Sequence, residues 1–386
     1  MTDAFRRHIF GATDLTRTGH LQKATALLQT ALGGLSTLEA RTAGQDAGAE
    51  PAGSHWPSSA KAPLGRLAQV FNALPGQGPA LPLPGHGTVV AGAPGSFLSA
   101  TFSNEAGTRS YKRYVPSCYA GQPVPLIVML HGCTQSPDDF AAGTRMNFLA
   151  EERNCIVCYP AQTASANASK CWNWFNAAEQ RRDRGEPSLI AGITRKVMQD
   201  YAIDRCRVYV AGLSAGGALA ATMGELYPDL FAAIGVHSGL ACGSASDVGS
   251  AFAAMRQGGR GAARGRAGSA GPRGEQDAVP AIVFHGDGDS TVHPSNGDDV
   301  IEQALHSAAL RTTVERGRVA GGRSYRRTLH QDEGGRTVHE HWTIHGAGHA
   351  WSGGSSSGSS SDAHGPDASG EMLRFFLDHP RHGGLG

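Results

Sequence analysis

From Ser96 onward the chain alternates short apolar runs with longer segments of helical spacing. Residues 97–103 and 109–116 read as two strands joined by the turn Asn104-Glu105-Ala106-Gly107. Residues 125–130 are a continuous apolar strand, followed by a helix around 140–153 and a strand at 155–159. A helix over 189–201 then precedes the strand 208–211, and residues 215–227 form a helix that Pro228 stops. Residues 231–236, 281–284 and 339–344 add three buried strands. A last helix at 369–377 carries Met372, Phe375 and Phe376 on one side. Strands that are apolar throughout must be covered on both faces, so the pattern predicts an α/β fold: a mostly parallel central sheet between helical layers.

Upstream, Leu21, Ala24, Leu28, Ala31 and Leu35 recur at helical spacing, and Gly33-Gly34 offers a stop. Residues 1–40 are therefore expected to hold an amphipathic helix over 15–35. Its apolar side needs a partner: the main domain, a second copy or a hydrophobic surface. Residues 41–95 shift to Gly, Ala, Pro and Ser, with a short apolar patch at 64–74, and read as a linker. The main domain then spans 96–380. Within it, residues 255–278 are mostly Gly, Ala and Arg and read as a flexible surface insertion. Its five arginines are not interleaved with aromatics, which argues against nucleic acid as a partner.

Composition narrows the picture further. With 386 residues, 40% hydrophobic, and Lys+Arg 34 against Asp+Glu 33, there is a real core and no global field to attract a polyanion. No apolar run reaches the length of a membrane span, and the first residues lack the apolar centre of a secretory signal. A soluble, cytoplasmic chain is the expectation. Seven cysteines in this length do not make a disulfide scaffold. Cys155 and Cys158, three apart on a strand, point to opposite faces and read as core residues, neither a chelate nor a redox pair. His339, His341 and His345 have no matching carboxylate or cysteine motif, so they read as surface and rim histidines; no metal or cofactor is called for.

The chemistry concentrates at residues 208–217, VYVAGLSAGG. A G-x-S-x-G between a strand and a helix puts Ser214 on a strained turn with its hydroxyl clear of the sheet. The helix N-terminus then offers the Ala215 amide to an oxyanion. Two later strand ends supply partners. His285-Gly286-Asp287-Gly288-Asp289 offers two carboxylates, and the wider H-G-x-x-D-x-x-V pattern favours Asp289 over Asp287 as the acid. Gly346-Ala347-Gly348-His349 presents a histidine suited to be the base. A second oxyanion donor is expected at the amide of Cys133, in His131-Gly132-Cys133 after the first apolar strand.

Together LHGCTQSPDDF, CWNWF, AGLSAGG, FHGDGDSTVHPSN and GAGHAWSGG resemble the polyhydroxybutyrate-depolymerase-like esterase family of α/β-hydrolases, over roughly residues 96–380. The resemblance implies a cofactor-free serine esterase with Ser214, Asp289 and His349 as triad. Its implied substrates are short hydroxyacyl, polyester-oligomer or aryl esters, with feruloyl or acetylxylan esters as the alternative. Members are often extracellular, in tension with the missing signal. Trp172, Trp174 and Trp351 lie on loops at the reactive edge, where they either line a substrate pocket or pack the core. In such a sheet the strands leading to Cys133 and Cys171 are neighbours, so the two thiols are expected close together, disulfide-bonded or reduced. The rival from another class is a non-catalytic binder of polyester granules acting through residues 15–35.

Overall fold

The computed structural model describes residues 94–259, 279–305 and 310–381. The expected helix at 15–35, the linker up to residue 93 and most of the Arg/Gly insertion lie outside these residues. Strands β1 (Ser96–Asn104) and β2 (Gly107–Val115) form the expected antiparallel pair. The central strands are β3 (Val124–Leu130), β4 (Ile156–Pro160), β5 (Ile203–Leu213), β6 (Ala233–His237), β7 (Ala281–Gly286) and β10 (Thr337–Ile344). They pair in parallel in the order β4-β3-β5-β6-β7-β10, so all their carboxyl ends share one edge. β8 (Arg311–Arg318) and β9 (Ser324–Gln331) extend the far side antiparallel and complete a ten-stranded sheet.

The helices are α1 (Pro137–Thr144), α2 (Met146–Arg153), α3 (Gly185–Asp200), α4 (Ala215–Leu226), α5 (Val248–Gln257), α6 (Ser295–Leu305) and α7 (Ala368–Asp378). The single helix expected around 140–153 is two, because Arg145 turns into the left-handed region at φ 56°. Ser136 starts the first by accepting from the Asp139 amide, with proline at the first turn, where a missing N–H costs nothing. The residues of β3 to β7 are almost all buried, and alternate ones feed two apolar layers. Val128, Cys158 and Val210 face the layer under α3 and α4. Ile127, Cys155 and Tyr209 face the other, where Tyr209 stacks on Phe376 of α7 at 4.9 Å. Cys155 and Cys158 therefore sit on opposite faces, both free and buried.

One expectation is corrected. His339 and His341 are not surface or rim histidines but core residues, 1% and 7% exposed, on the side of β10 that faces α6. Burial, with the nearby charges of His285 and Arg326, holds the His341 imidazole down to about 3. His345 does lie at the rim, bonded to Asp287. Among the described residues no helix is long and apolar enough to cross a membrane.

Candidate active site

Four strand ends build the site. β5 runs into Ser214, which has φ 57° and ψ −120°, a conformation costing a non-glycine residue about 1–3 kcal/mol. Its surroundings fix that turn. The Ser214 amide donates to His237 O at 2.9 Å, and Ser214 O accepts from Ala218 of α4. A Cβ on Gly216 would lie 2.0 Å from Leu130 O, so the helix start can approach β3 only as glycine.

The loops that carry Asp289 and His349 are stitched together. Asp287 N donates to Ile344 O and Gly288 N to Ala347 O, tying the turn after β7 to the turn after β10. Gly286 allows this approach, since a Cβ there would lie 2.3 Å from Ala347 O. The two carboxylates diverge. Asp287 is half exposed and accepts from His345 Nδ1 and the Gly346 amide. Asp289 is buried; its Oδ1 accepts from the amides of Thr291 and Val292, and its Oδ2 accepts from His349 Nδ1 at 2.7 Å. Burial alone would raise the Asp289 pKa, but its bonds to His285 and His349 outweigh that and hold it far below the usual carboxylate range. The bond at Nδ1 leaves His349 Nε2 as the free basic nitrogen. No hydrogen bond joins Ser214 Oγ to His349 among the described residues. Both are nevertheless neighbours of His237, which bonds the Ser214 amide and feels the His349 charge.

The loop that carries Cys133 follows β3. Gly132 N is committed to Gln135 Oε1 at 2.9 Å, and Gln135 Nε2 is anchored by Asp139 and Ser359. Gln135 N returns to Gly132 O, and Thr134 N donates to Ser169 O. The amides of Cys133 and Ala215 carry no such commitment among the described residues. Cys133 and Cys171 form a disulfide, with Cα atoms 4.2 Å apart.

The tryptophans do not stand together on a pocket wall. Trp172 is fully buried, with Nε1 donating to His131 O. Trp351 is equally buried, bonded to Ser369 Oγ and stacked on His237 at 5.2 Å. Trp174 is buried edge-on to Phe175. All three brace loops from within, so of the two readings left open for them the structure has them packing the core and not lining a pocket. The sequence reading missed His237 and His285. His237 Nε2 accepts from Ser352 N, and burial, with the charges of His285 and His349, keeps its pKa down at about 3. His285 Nε2 donates to Val292 O at 2.9 Å and lies 3.5 Å from Asp289 Oδ2. Their signal was position: each stands at or next to the carboxyl end of a central parallel strand.

A parallel sheet with a strained serine elbow after β5, an acid after β7 and a histidine after β10 defines an α/β-hydrolase fold. Acetyl xylan esterase from Aspergillus awamori shares it, with a TM-score of 0.57 at 21% identity over 73% of this chain and 99% of that one. This chain belongs to the esterase PHB depolymerase family, whose model matches residues 109–324. It is 32% identical to poly(3-hydroxyalkanoate) depolymerase C of Paucimonas lemoignei over 64% of this chain and 60% of that protein. It is 35% identical to feruloyl esterase B of Neurospora crassa over 36% of this chain and 46% of that protein. The match thus spans less than two thirds of the length of either relative.

Proposed function

We propose that the chain is a serine carboxylic ester hydrolase. His349 Nε2 takes the proton from Ser214 Oγ as that oxygen attacks an ester carbonyl, and Asp289 holds the imidazole in the required tautomer. The amides of Ala215 and Cys133 receive the oxyanion. The alcohol leaves with the proton from His349, and water, activated by the same imidazole, releases the acid from the acyl-enzyme. The observation that carries this reading is the 2.7 Å His349–Asp289 bond, made by loops stitched to each other at the edge where Ser214 stands strained. A pure binder of polyester granules would leave both the strain and the buried carboxylate–imidazole pair without a purpose.

The names of the relatives, a polyhydroxyalkanoate depolymerase and a feruloyl esterase among them, support an ester as substrate. The test is hydrolysis of p-nitrophenyl esters, feruloyl esters and hydroxybutyrate oligomers by the wild type and by Ser214→Ala. Turnover falling by several orders of magnitude in a folded variant is expected, since triad members act as a unit. Wild-type turnover in Ser214→Ala on every ester would overturn the proposal.

A further inference from the structure

The end of β7 holds a buried imidazole that none of the hydrolytic steps uses. His285 is paired with Thr343 of β10, and its side chain is 1% exposed. Its Nε2 lies 2.9 Å from Val292 O, and a carbonyl oxygen only accepts, so the proton is on Nε2. The same Nε2 is 3.5 Å from Asp289 Oδ2, the oxygen that takes the 2.7 Å bond from His349 Nδ1. Its hydrogen is therefore shared, with the short arm on Val292 O and the long arm on Oδ2.

The other contacts of Asp289 show what the long arm adds. Oδ1 accepts from the amides of Thr291 and Val292, each at 2.9 Å. With both imidazoles on Oδ2, four N–H groups surround the carboxylate, one for each of its lone-pair sites. Burial pushes the Asp289 carboxyl up, and the contact with His285 is foremost among those that bring it down. The last torsion of an aspartate is soft, so two amides on Oδ1 leave Oδ2 free to lean away from His349. A second N–H on Oδ2 opposes that lean. The ring that carries it cannot retreat, because a Cβ on Gly297 of α6 would lie only 3.1 Å from His285 Nδ1. That Nδ1 has no hydrogen-bond partner among the described residues. A buried nitrogen left unpaired disfavours the folded state, so packing alone would be better served by an apolar side chain.

We propose that His285 is a positioning residue that acts through Asp289, holding Oδ2 on His349 Nδ1 while His349 gains and loses the proton of Ser214. The consequence for turnover rests on the esterase reading, whereas the hold on Asp289 does not.

Two substitutions separate the donor from the ring. His285→Phe keeps a ring and loses the N–H. His285→Gln loses the ring and carries an N–H the same number of bonds from Cβ. On p-nitrophenyl acetate, His285→Phe should lower kcat by about tenfold to a hundredfold and change KM by less than about threefold, since it loosens the reacting groups and not substrate binding. His285→Gln should recover most of that loss. In an Asp289→Asn background, His285→Phe should cost less than about threefold more, because residues that act through one partner are not additive. Circular dichroism checks the fold of each variant; should His285→Phe not fold, His285→Leu, also without a donor, takes its place. An equal loss in His285→Gln, or an equal cost of His285→Phe with and without the Asp289 carboxylate, overturns the proposal. So does a kcat for His285→Phe within about threefold of the wild type. If even the wild type hydrolyses no ester, the esterase reading alone falls, and nitrogen NMR of histidine-labelled protein decides about His285. The His349 Nδ1 resonance, assigned by its loss in His349→Gln, should shift in His285→Phe and return towards its wild-type position in His285→Gln. No shift in His285→Phe overturns the hold on Asp289.

Discussion

Asp289→Asn is the sharpest test of the site, because the structure dictates which way the new amide must point. Oδ1 of Asp289 accepts from two backbone amides, Thr291 N and Val292 N, each at 2.9 Å. In the variant the carbonyl oxygen keeps those two bonds, so the NH2 group faces His349 Nδ1 where Oδ2 stood. A nitrogen that donates cannot accept, and His349 is driven to carry its proton on Nε2, the atom that must take the proton from Ser214. The fold loses one charge-assisted bond, about 1.5–3 kcal/mol. Catalysis loses the correct tautomer, about 10⁴-fold in kcat, or roughly 5 kcal/mol of barrier. The control is Asp287→Asn. Asp287 is half exposed and serves His345 and the Gly346 amide, so its removal should change kcat by less than about threefold. Initial rates on p-nitrophenyl acetate with circular dichroism on both variants decide the matter. Asp289→Asn keeping more than a tenth of the wild-type kcat, or Asp287→Asn costing more than Asp289→Asn, would refute the assignment of the acid.

Three further outcomes are expected. Gly216→Ala places a methyl 2.0 Å from Leu130 O and should destabilise the protein by about 3 kcal/mol or more; an unchanged melting temperature would contradict the close approach. Reducing the Cys133–Cys171 bond, or replacing Cys171 with Ala, should cost about 4 kcal/mol for a 38-residue separation and lower kcat more than it raises KM, since the loop that carries Cys133 loses its brace; full activity in saturating reductant would count against Cys133 as a donor. Burial lowers the pKa of His131 to about 4 and of His237 and His341 to about 3, so the folded state holds them neutral while the unfolded chain protonates below about 6.5. Their contribution is complete above pH 6.5 and is lost as pH falls towards 4; denaturant midpoints should drop over that window, His341→Leu should remove about one proton from the slope, and a flat profile would refute it.

The fold was legible wherever the sheet is buried on both sides, because there every strand residue must be apolar and the run announces itself. Pro125 to Leu130 and Ala281 to Phe284 are such runs, and the structure places strands on both. The pattern is weak where burial is partial. β8 is an edge strand whose residues are all exposed or partly exposed, so RTTVERGR carries no apolar alternation to read. Arg145 breaks a helix that its sequence neighbours would continue, through a left-handed conformation that no residue type advertises there. At the site, Ser214, Asp289 and His349 could be proposed because the chemistry asks for groups at strand ends in one order along the chain, and the structure does put them at the ends of β5, β7 and β10. Which carboxylate meets His349 is settled in space by the Oδ2–Nδ1 bond of Asp289 and the diversion of Asp287 to His345. The tryptophans could not be assigned to pocket or core for a related reason. A loop position at the reactive edge says nothing about whether an indole points outward, and Trp172 and Trp351 each find an inward acceptor for Nε1.

Those inward bonds bear on how the site keeps its shape. His131 is held from three directions: Nδ1 donates to Gly132 O, Nε2 accepts from Gln162 N, and its carbonyl accepts from Trp172 Nε1. Gln162 Nε2 continues to Cys171 O and to Glu186, and Glu186 in turn accepts from the Asn173 amide and from Arg109. With the Cys133–Cys171 bond added, the loop after β3, the CWNWF segment and the start of α3 form one bonded body. Glu186 is its hub and is almost fully buried, and that burial raises its pKa against the bonds that would lower it. A carboxylate kept in such a place is costly unless each oxygen is occupied, and here three side chains and one amide occupy them. Arg109, Asn173 and Glu186, which hold this body together, also line a cavity of about 770 Å³. A substitution at any of these three breaks a bond of the body that the Cys133–Cys171 disulfide joins to the loop after β3, so it changes the cavity wall and that loop's support together.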